Sequence, residues 1–275
     1  MPDQTALDEA RAFHAKMMAA ASGSDDPRLE RAFELVPREA FLGPGPWRFV
    51  VNRRFVETPS VNPIHVHQNA LIALDSTKGI NNGEPFLHAA WIGAAAPKAG
   101  ETVVHVGAGT GYYTALLSML VLPNGRVHAY EIDADLARRA AQNLTPFEGV
   151  ELVTADATAT ALPDCDLIYV NAGVVAPPAG WLRALRPGGR IVFPWSPSRD
   201  VGIALLLTRT EVGFDVRSLG SAWFIPCVGA SDPEGCLRPP PPLQARSITR
   251  AWLTADRAPD ETAVAVCRDV WFSAA

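Results

Sequence analysis

Three glycines fall within five residues in Val106-Gly107-Ala108-Gly109-Thr110-Gly111-Tyr112, directly behind the β-prone run Thr102–Val106. Glycine takes positive φ at little cost and lets a ligand approach the backbone with no Cβ in between. A helix opening near Thr110 leaves free N–H groups and a positive dipole end, which suit an anionic group. Strand, glycine turn and helix make the nucleotide-binding corner of a Rossmann-like α/β sheet. The dinucleotide fingerprint G-x-G-x-x-G would require a glycine at position 112, where Tyr112 stands, so the turn departs from that pattern. The next strand, Gly125-Arg126-Val127-His128-Ala129-Tyr130-Glu131, ends in an acid 22 residues beyond Gly109. That is about the spacing at which a carboxylate meets a ribose. Being acceptor-only when ionised, Glu131 can take both ribose hydroxyls.

G-x-G-x-G followed by an acid at the end of the next strand resembles the S-adenosylmethionine (SAM) site of Rossmann-like methyltransferases. The elements around it fit. Strands are expected at 102–107, 126–132, 150–154, 166–171 and 190–193. Helices are expected near 110–121, from Asp133 as N-cap to about Leu144, and over 178–185. This alternation implies a mostly parallel sheet with helices on both faces and ligands at the strands' carboxyl ends. Gly107, Glu131, Asp156 and Asn171 all fall at such ends. Ahead of the alternation, residues 5–21 have helical spacing, and Asp26-Pro27 signals a second helix over 28–35. Residues 47–75 read as irregular or short strands. After Pro194, the segments 201–209, 212–219 and 222–228 read as antiparallel edge strands, and 261–273 as one last strand. Pro239–Pro242 predicts an extended, rigid connector.

Composition narrows the function. The 275 residues carry 24 Lys and Arg against 29 Asp and Glu, a net charge of −5 that argues against nucleic acid as the main partner. No run approaches the ~18 apolar residues of a transmembrane helix, and the N-terminal segment has acids in place of a signal-peptide core. The cysteines Cys165, Cys227, Cys236 and Cys267 show no C-x-x-C pairing and fit free thiols in a reducing, cytoplasmic setting. His65 and His67 would face the same way on a strand, but no acid or cysteine falls at metal-ligand spacing. A hydrogen-bonded or solvent-facing pair is expected, and no metal. The expected organisation is an N-terminal helical and loop extension (1–78), a SAM-binding Rossmann-like core (79–230), and a Pro-rich connector with a C-terminal strand (231–275).

Several motifs in order resemble the protein-L-isoaspartate O-methyltransferase family between about Arg28 and Gly229. They are Val36-Pro37-Arg38-Glu39-Ala40-Phe41, the run Val103–Tyr112, the segment Asp166–Pro194 with its Leu-Arg-Pro-Gly-Gly-Arg turn, and Phe224-Ile225-Pro226. The resemblance implies SAM as cofactor, S-adenosylhomocysteine as product, and residue roles. A loop corresponding to Asn81–Ala89 would close over SAM, with Asn81, Asn82, Gly83 and His88 at its positions. Gly107, Ala108, Gly109, Thr110, Gly111 and Tyr112 would cradle the cofactor. Glu131 and Ile132 would meet the ribose side, Asp156 and Ala157 the adenine, and Asn171 the strand edge between them. Asn82, Glu84 and His88 are the candidates nearest the chemistry. The family's T-I-S-x-P loop is replaced here by Asn81-Asn82-Gly83-Glu84-Pro85. A carboxylate at 84 should repel an isoaspartyl group, and the chain continues for some forty-five residues beyond Gly229. The expectation is therefore a SAM-dependent O-methyltransferase acting on a carboxylate of a small molecule or peptide. Isoaspartyl repair and a non-catalytic SAM-binding scaffold are the alternatives.

Overall fold

The punctuation of the sequence sets the first elements. The computed structural model describes residues 4–274, so Met1–Asp3 of the N-terminal segment lie outside the described residues. Helix α1 is Gln4–Ser22 and α2 is Pro27–Leu35; Asp26 caps α2 by accepting from the Arg28 N–H, with Pro27 in the first turn. Strands β1 (Arg48–Val51) and β2 (Arg54–Glu57) join through Asn52-Arg53, both at positive φ, the backbone of a tight hairpin. Strands β3 (Leu71–Asp75) and β4 (Ile80–Asn81) complete a four-stranded sheet of order β2-β1-β3-β4. Helix α3 is Pro85–Ala95.

The alternating region follows as expected from the sequence. It runs β5 (Thr102–Val106), α4 (Tyr112–Val121), β6 (Arg126–Glu131), α5 (Ala134–Leu144), β7 (Val150–Thr154), β8 (Cys165–Val170), α6 (Ala179–Ala184) and β9 (Leu185–Ser198). Asp133 caps α5 by accepting from the Asp135 and Leu136 N–H groups. The chain ends with β10 (Val201–Arg209), β11 (Phe214–Ser221), β12 (Cys236–Arg238), the short α7 (Pro242–Ala245), β13 (Arg250–Leu253), β14 (Ala263–Cys267) and β15 (Val270–Ser273).

The chain divides into two compact units. The first comprises the residues up to Gly100 with Ala108–Gly125 and Asp133–Leu152. In it α1 packs on α2 and α3, and the small sheet is backed by buried Leu42, Trp47, Phe49, Val66 and Ile72. The second comprises Glu101–Gly107, Arg126–Ile132 and the chain from Val153 onward. It holds an eleven-stranded sheet of order β12-β14-β15-β13-β11-β10-β9-β8-β5-β6-β7. The pairs β6/β5, β5/β8 and β8/β9 are parallel, and the pairing turns antiparallel from β9/β10 outward. Strand order reverses beside β5, the switch point at which such sheets bind ligands. Its core runs from Val104, Ile168 and Trp181 through Phe193 and Trp195 to Val270 and Phe272, so the C-terminal strands share one core with the parallel ones.

Four details differ from the sequence reading. His65 does not lie on a strand: Asn62 accepts the Ile64 N–H and Pro63 opens a 3-10 turn over Pro63–Val66, so His65 and His67 share no strand face. Residues 222–228 form no strand, because Pro226 lacks an N–H and only an isolated bridge to Gly173 forms. Residues 261–273 are two strands, β14 and β15, turning at Arg268-Asp269. Strand β9 spans the whole of Leu185–Ser198, including the Pro187-Gly188-Gly189 stretch expected as a turn ahead of a strand at 190–193.

Three buried titratable groups make this fold acid-sensitive. Burial lowers His105 to about 3. Burial, with the nearby charges of Arg38 and His67, lowers His14 to about 3. Burial would raise Glu39, but hydrogen bonds from His67 and Arg11 outweigh it and hold Glu39 at about 2. The unfolded chain takes up imidazole protons near ~6.5 that the folded chain refuses, so stability falls as pH drops below that value. The Glu39 contribution is present above ~4.5 and is lost as pH falls towards about 2. Calorimetric melting should show Tm declining from pH ~6.5 and more steeply below ~4.5, each imidazole contributing about 1.4 kcal/mol per pH unit in its window. His14→Leu should remove one such share, and a pH-independent Tm between 7 and 4 would contradict these assignments.

Candidate functional site

Backbone hydrogen bonds align the strand ends of the larger sheet. The Gly107 N–H donates to Tyr130 O at 2.9 Å and the Asn171 N–H to Val106 O at 2.8 Å. Gly107 has φ +77°, which favours glycine there. Glu131 is buried at the end of β6, and Ile132 beside it is half exposed. The Asn171 amide nitrogen donates to Nε2 of the neutral, buried His105 at 2.9 Å, which leaves its buried Oδ1 without a partner among the described residues. Asp156, just past β7, closes a turn in which Oδ1 accepts from both the N–H and the hydroxyl of Thr158. A Cβ on Gly229 would lie 1.9 Å from Thr158 Oγ1 and 3.2 Å from Asp156 Oδ2, so the chain after Phe224-Ile225-Pro226 seats on this turn because residue 229 is glycine. Ala157 is buried and its carbonyl accepts from Trp181 Nε1.

In the first unit the glycine turn continues through Ala108 to Gly111. Gly109 has φ +59°, and a Cβ there would meet nothing closer than a Leu74 methyl at 3.9 Å. The space over this backbone is thus free for a ligand, as a close-approach glycine requires. The Gly111 N–H closes onto Ala108 O, Asn143 Nδ2 donates to Thr110 O, and α4 starts at Tyr112. Thr110 Oγ1 and the hydroxyls of Tyr112 and Tyr113 are buried without partners among the described residues. Burial pushes both phenols well above their ordinary value, so each stays a neutral O–H donor. Buried donors beside a glycine turn and a helix start fit a polar, nucleotide-like ligand.

The loop ahead of α3 is organised by Arg38 of the Val36–Phe41 motif, a role that no local spacing announces. Arg38 is completely buried. Its Nε donates to Asn82 Oδ1, its Nη1 to the carbonyls of Val66 and Gln68, and its Nη2 to those of Ala70 and Gly83. Asn81 Oδ1 accepts the Gly83 N–H. Gly83 has φ +76°, and a Cβ on it would lie 2.4 Å from Nε2 of His88. His88 is buried and stacked on Tyr113, ring centroids 3.8 Å apart, so it is wedged beneath the loop. Glu84 Oε1 accepts from Asn69 Nδ2, and Asn69 Oδ1 in turn caps the Phe86 N–H in the first turn of α3. The Glu84 carboxylate thus sits at a helix N-terminus, where the dipole favours a negative charge. Of the three residues expected nearest the chemistry, Asn82 is bound to Arg38, Glu84 to Asn69, and His88 is packed under Gly83. Arg38→Met would remove the guanidinium donors from four carbonyls and the Asn82 amide oxygen, and should cost about 3–5 kcal/mol in denaturant unfolding. Lysine, with three donors and no fork, should recover only part of that. A loss below about 1 kcal/mol, the range of a surface change, would mean that the loop does not depend on Arg38.

Residues 20–232 match the family model for protein-L-isoaspartate(D-aspartate) O-methyltransferase. A protein-L-isoaspartate O-methyltransferase from Rhodopseudomonas palustris is 32% identical over 227 residues, covering 81% of this chain and 93% of that one. One from Aeropyrum pernix is 37% identical over 143 residues, 48% of this chain and 53% of that one. Among solved structures, a protein-L-isoaspartate O-methyltransferase superposes with a TM-score of 0.69 at 20% identity, covering 95% of this chain and 86% of that one. A Plasmodium falciparum protein of the same description, in complex with S-adenosyl-L-homocysteine, superposes with a TM-score of 0.62 at 15% identity, covering 79% of this chain and 97% of that one. At those identities the superpositions speak for the fold, which is that of SAM-dependent methyltransferases. The chain belongs to the protein-L-isoaspartate O-methyltransferase family of SAM-dependent O-methyltransferases.

Proposed function

We propose that this protein methylates the free carboxylate of isoaspartyl residues in peptides or proteins, rather than a small-molecule acid. The observation that carries the reading is the glycine turn with buried Glu131 at the sheet's switch point, inside the span matched by the family model. The expected objection was Glu84, whose charge would repel a substrate carboxylate. Its hydrogen bond to Asn69 and its place at the start of α3 support a structural role and weaken that objection.

When bound, SAM supplies a methyl group already activated by its sulfonium. The chain's residues then have to bind, align and exclude water. The backbone of Gly107, Ala108, Gly109, Thr110 and Gly111, with Tyr112, would hold the cofactor. Glu131 would accept from the ribose hydroxyls, with Ile132 as an apolar contact. Asp156, Ala157 and Asn171 would hold the adenine side. Asn81, Asn82 and Gly83, wedged by His88, would form the cover. A carboxylate acceptor has a pKa near ~4 and is already ionised at neutral pH, so no general base is required. Near the turn, burial keeps the Tyr112 and Tyr113 phenols protonated, and His88 is stacked on Tyr113. Alignment of this kind can account for ~7–11 kcal/mol of barrier lowering.

Two measurements test the reading. Glu131→Ala should weaken SAM binding roughly tenfold or more, the scale of a lost charge-assisted hydrogen bond; unchanged affinity would place the cofactor elsewhere. S-adenosylhomocysteine release should be seen with a synthetic isoaspartyl peptide and not with its aspartyl twin. Release with small carboxylic acids but neither peptide would overturn the proposed substrate.

A further inference from the structure

The first unit holds a cavity of about 420 Å³ that none of the cofactor-binding roles above uses. Its lining is mostly polar: Arg48, Glu57 and Arg139 give it charge, and Leu42, Trp47 and Leu74 add a smaller apolar share. The walls are fixed. Trp47 and Leu42 belong to the buried cluster behind the small sheet. The indole N–H of Trp47 donates to Gly43 O at 3.0 Å, and its backbone is bonded on both sides to Thr58. The cavity borders the glycine turn, because Leu74 is the residue nearest a Cβ built on Gly109.

Charge decides what the cavity can hold. Arg48 and Glu57 are cross-strand partners 3.6 Å apart and largely exposed, so they offset each other. The neighbouring charges on and around α5 are also taken: Asp135 pairs with Arg138, and Asp133 pairs with Lys78. Arg139 is half-buried, and its guanidinium makes no hydrogen bond or ion pair among the described residues. Its Nη2 lies 3.2 Å from where a Cβ on Gly43 would stand, and Gly43 has φ +75°. A side chain at 43 would push the guanidinium aside. The missing side chain leaves Arg139 lodged against the cavity wall with its fork unmatched.

A planar fork of N–H donors matches a carboxylate in bidentate geometry. The apolar share of the lining, from Leu42, Trp47 and Leu74, suits the methylenes that carry such a carboxylate. We propose that this cavity is an acceptor subsite in which Arg139 binds the side-chain carboxylate of an acidic residue flanking the methylated position of the substrate peptide. The proposal rests on the isoaspartyl reading above for the substrate and on this unit alone for the site. Arg139 would be a specificity determinant, remote from the reacting atoms.

The test uses isoaspartyl peptides in which a Glu is moved through the flanking positions, each with a Gln twin, assayed on the full chain, Arg139→Gln and Arg139→Lys. At one position the wild type should favour Glu roughly tenfold in kcat/KM, through KM, as one charge-assisted bond allows. Arg139→Gln should erase that preference, Arg139→Lys should keep part of it, and the KM for SAM should stay unchanged in both. A preference that survives Arg139→Gln, no preference at any position, or a loss confined to SAM binding would overturn the subsite. If no peptide turns over, the isoaspartyl reading fails by itself. The subsite is then judged by calorimetry of the Glu-bearing peptides with protein saturated in S-adenosylhomocysteine. Binding weakened by Arg139→Gln supports the subsite, and binding that is absent or indifferent to the change rejects it. Thermal melts matching wild type exclude misfolding, which a half-buried helix-face residue makes easy to satisfy.

Discussion

A guanidinium shut away from water has to find acceptors for its N–H groups or destabilise the fold by several kcal/mol. Arg38 meets that demand with carbonyls from Val66, Gln68, Ala70 and Gly83 and with the Asn82 amide. These acceptors come from two segments with little regular structure of their own, the stretch after the 3-10 turn and the loop before α3. One buried charge therefore gives two loops a single mutual arrangement. It also explains why Asn82 is buried and why Gly83 stays at positive φ above His88. The cover proposed for the cofactor is in this sense built around Arg38, with Asn69 fixing its far end through Glu84 and Phe86.

The second unit solves a different problem. A parallel sheet needs both faces covered, and its strand ends need partners for their last backbone groups. Gly107 and Asn171 satisfy theirs on the neighbouring strands, which holds the first glycine of the turn and the strand-edge amide on one line. Beyond β9 the sheet continues antiparallel through the C-terminal strands, where Trp195 and Phe272 meet with ring centroids 4.7 Å apart. The residues that follow Gly229 therefore extend the core of the sheet. Under the proposed function little beyond binding is required, because an ionised carboxylate and an activated methyl group need alignment more than acid–base help.

What could be read from the sequence was what local rules control. Asp26-Pro27 and Asp133 mark helix starts because a side-chain oxygen and the next N–H groups are close in sequence, and both caps are present. The glycine turn and the acid after it were legible because their spacing is set by one strand, one turn and one helix. His65 was misplaced because the Asn62 and Pro63 turn chemistry outweighs alternation. The β14–β15 hairpin was missed because Arg268-Asp269 carries no glycine or proline signal. Arg38 and Asn69 were beyond reach for a different reason: their partners lie 15 to 45 residues away, and no spacing rule announces a buried guanidinium or a cap supplied from another segment.

Hydrogen exchange with and without S-adenosylhomocysteine tests the central claim most directly, because it reads the backbone without assuming an acceptor. The account predicts added protection at residues 107–112, at 131–132 and in the loop 81–84, with the segment 236–267 unchanged. Protection that avoids the glycine turn, or binding that leaves both the turn and the loop as they were, would contradict it.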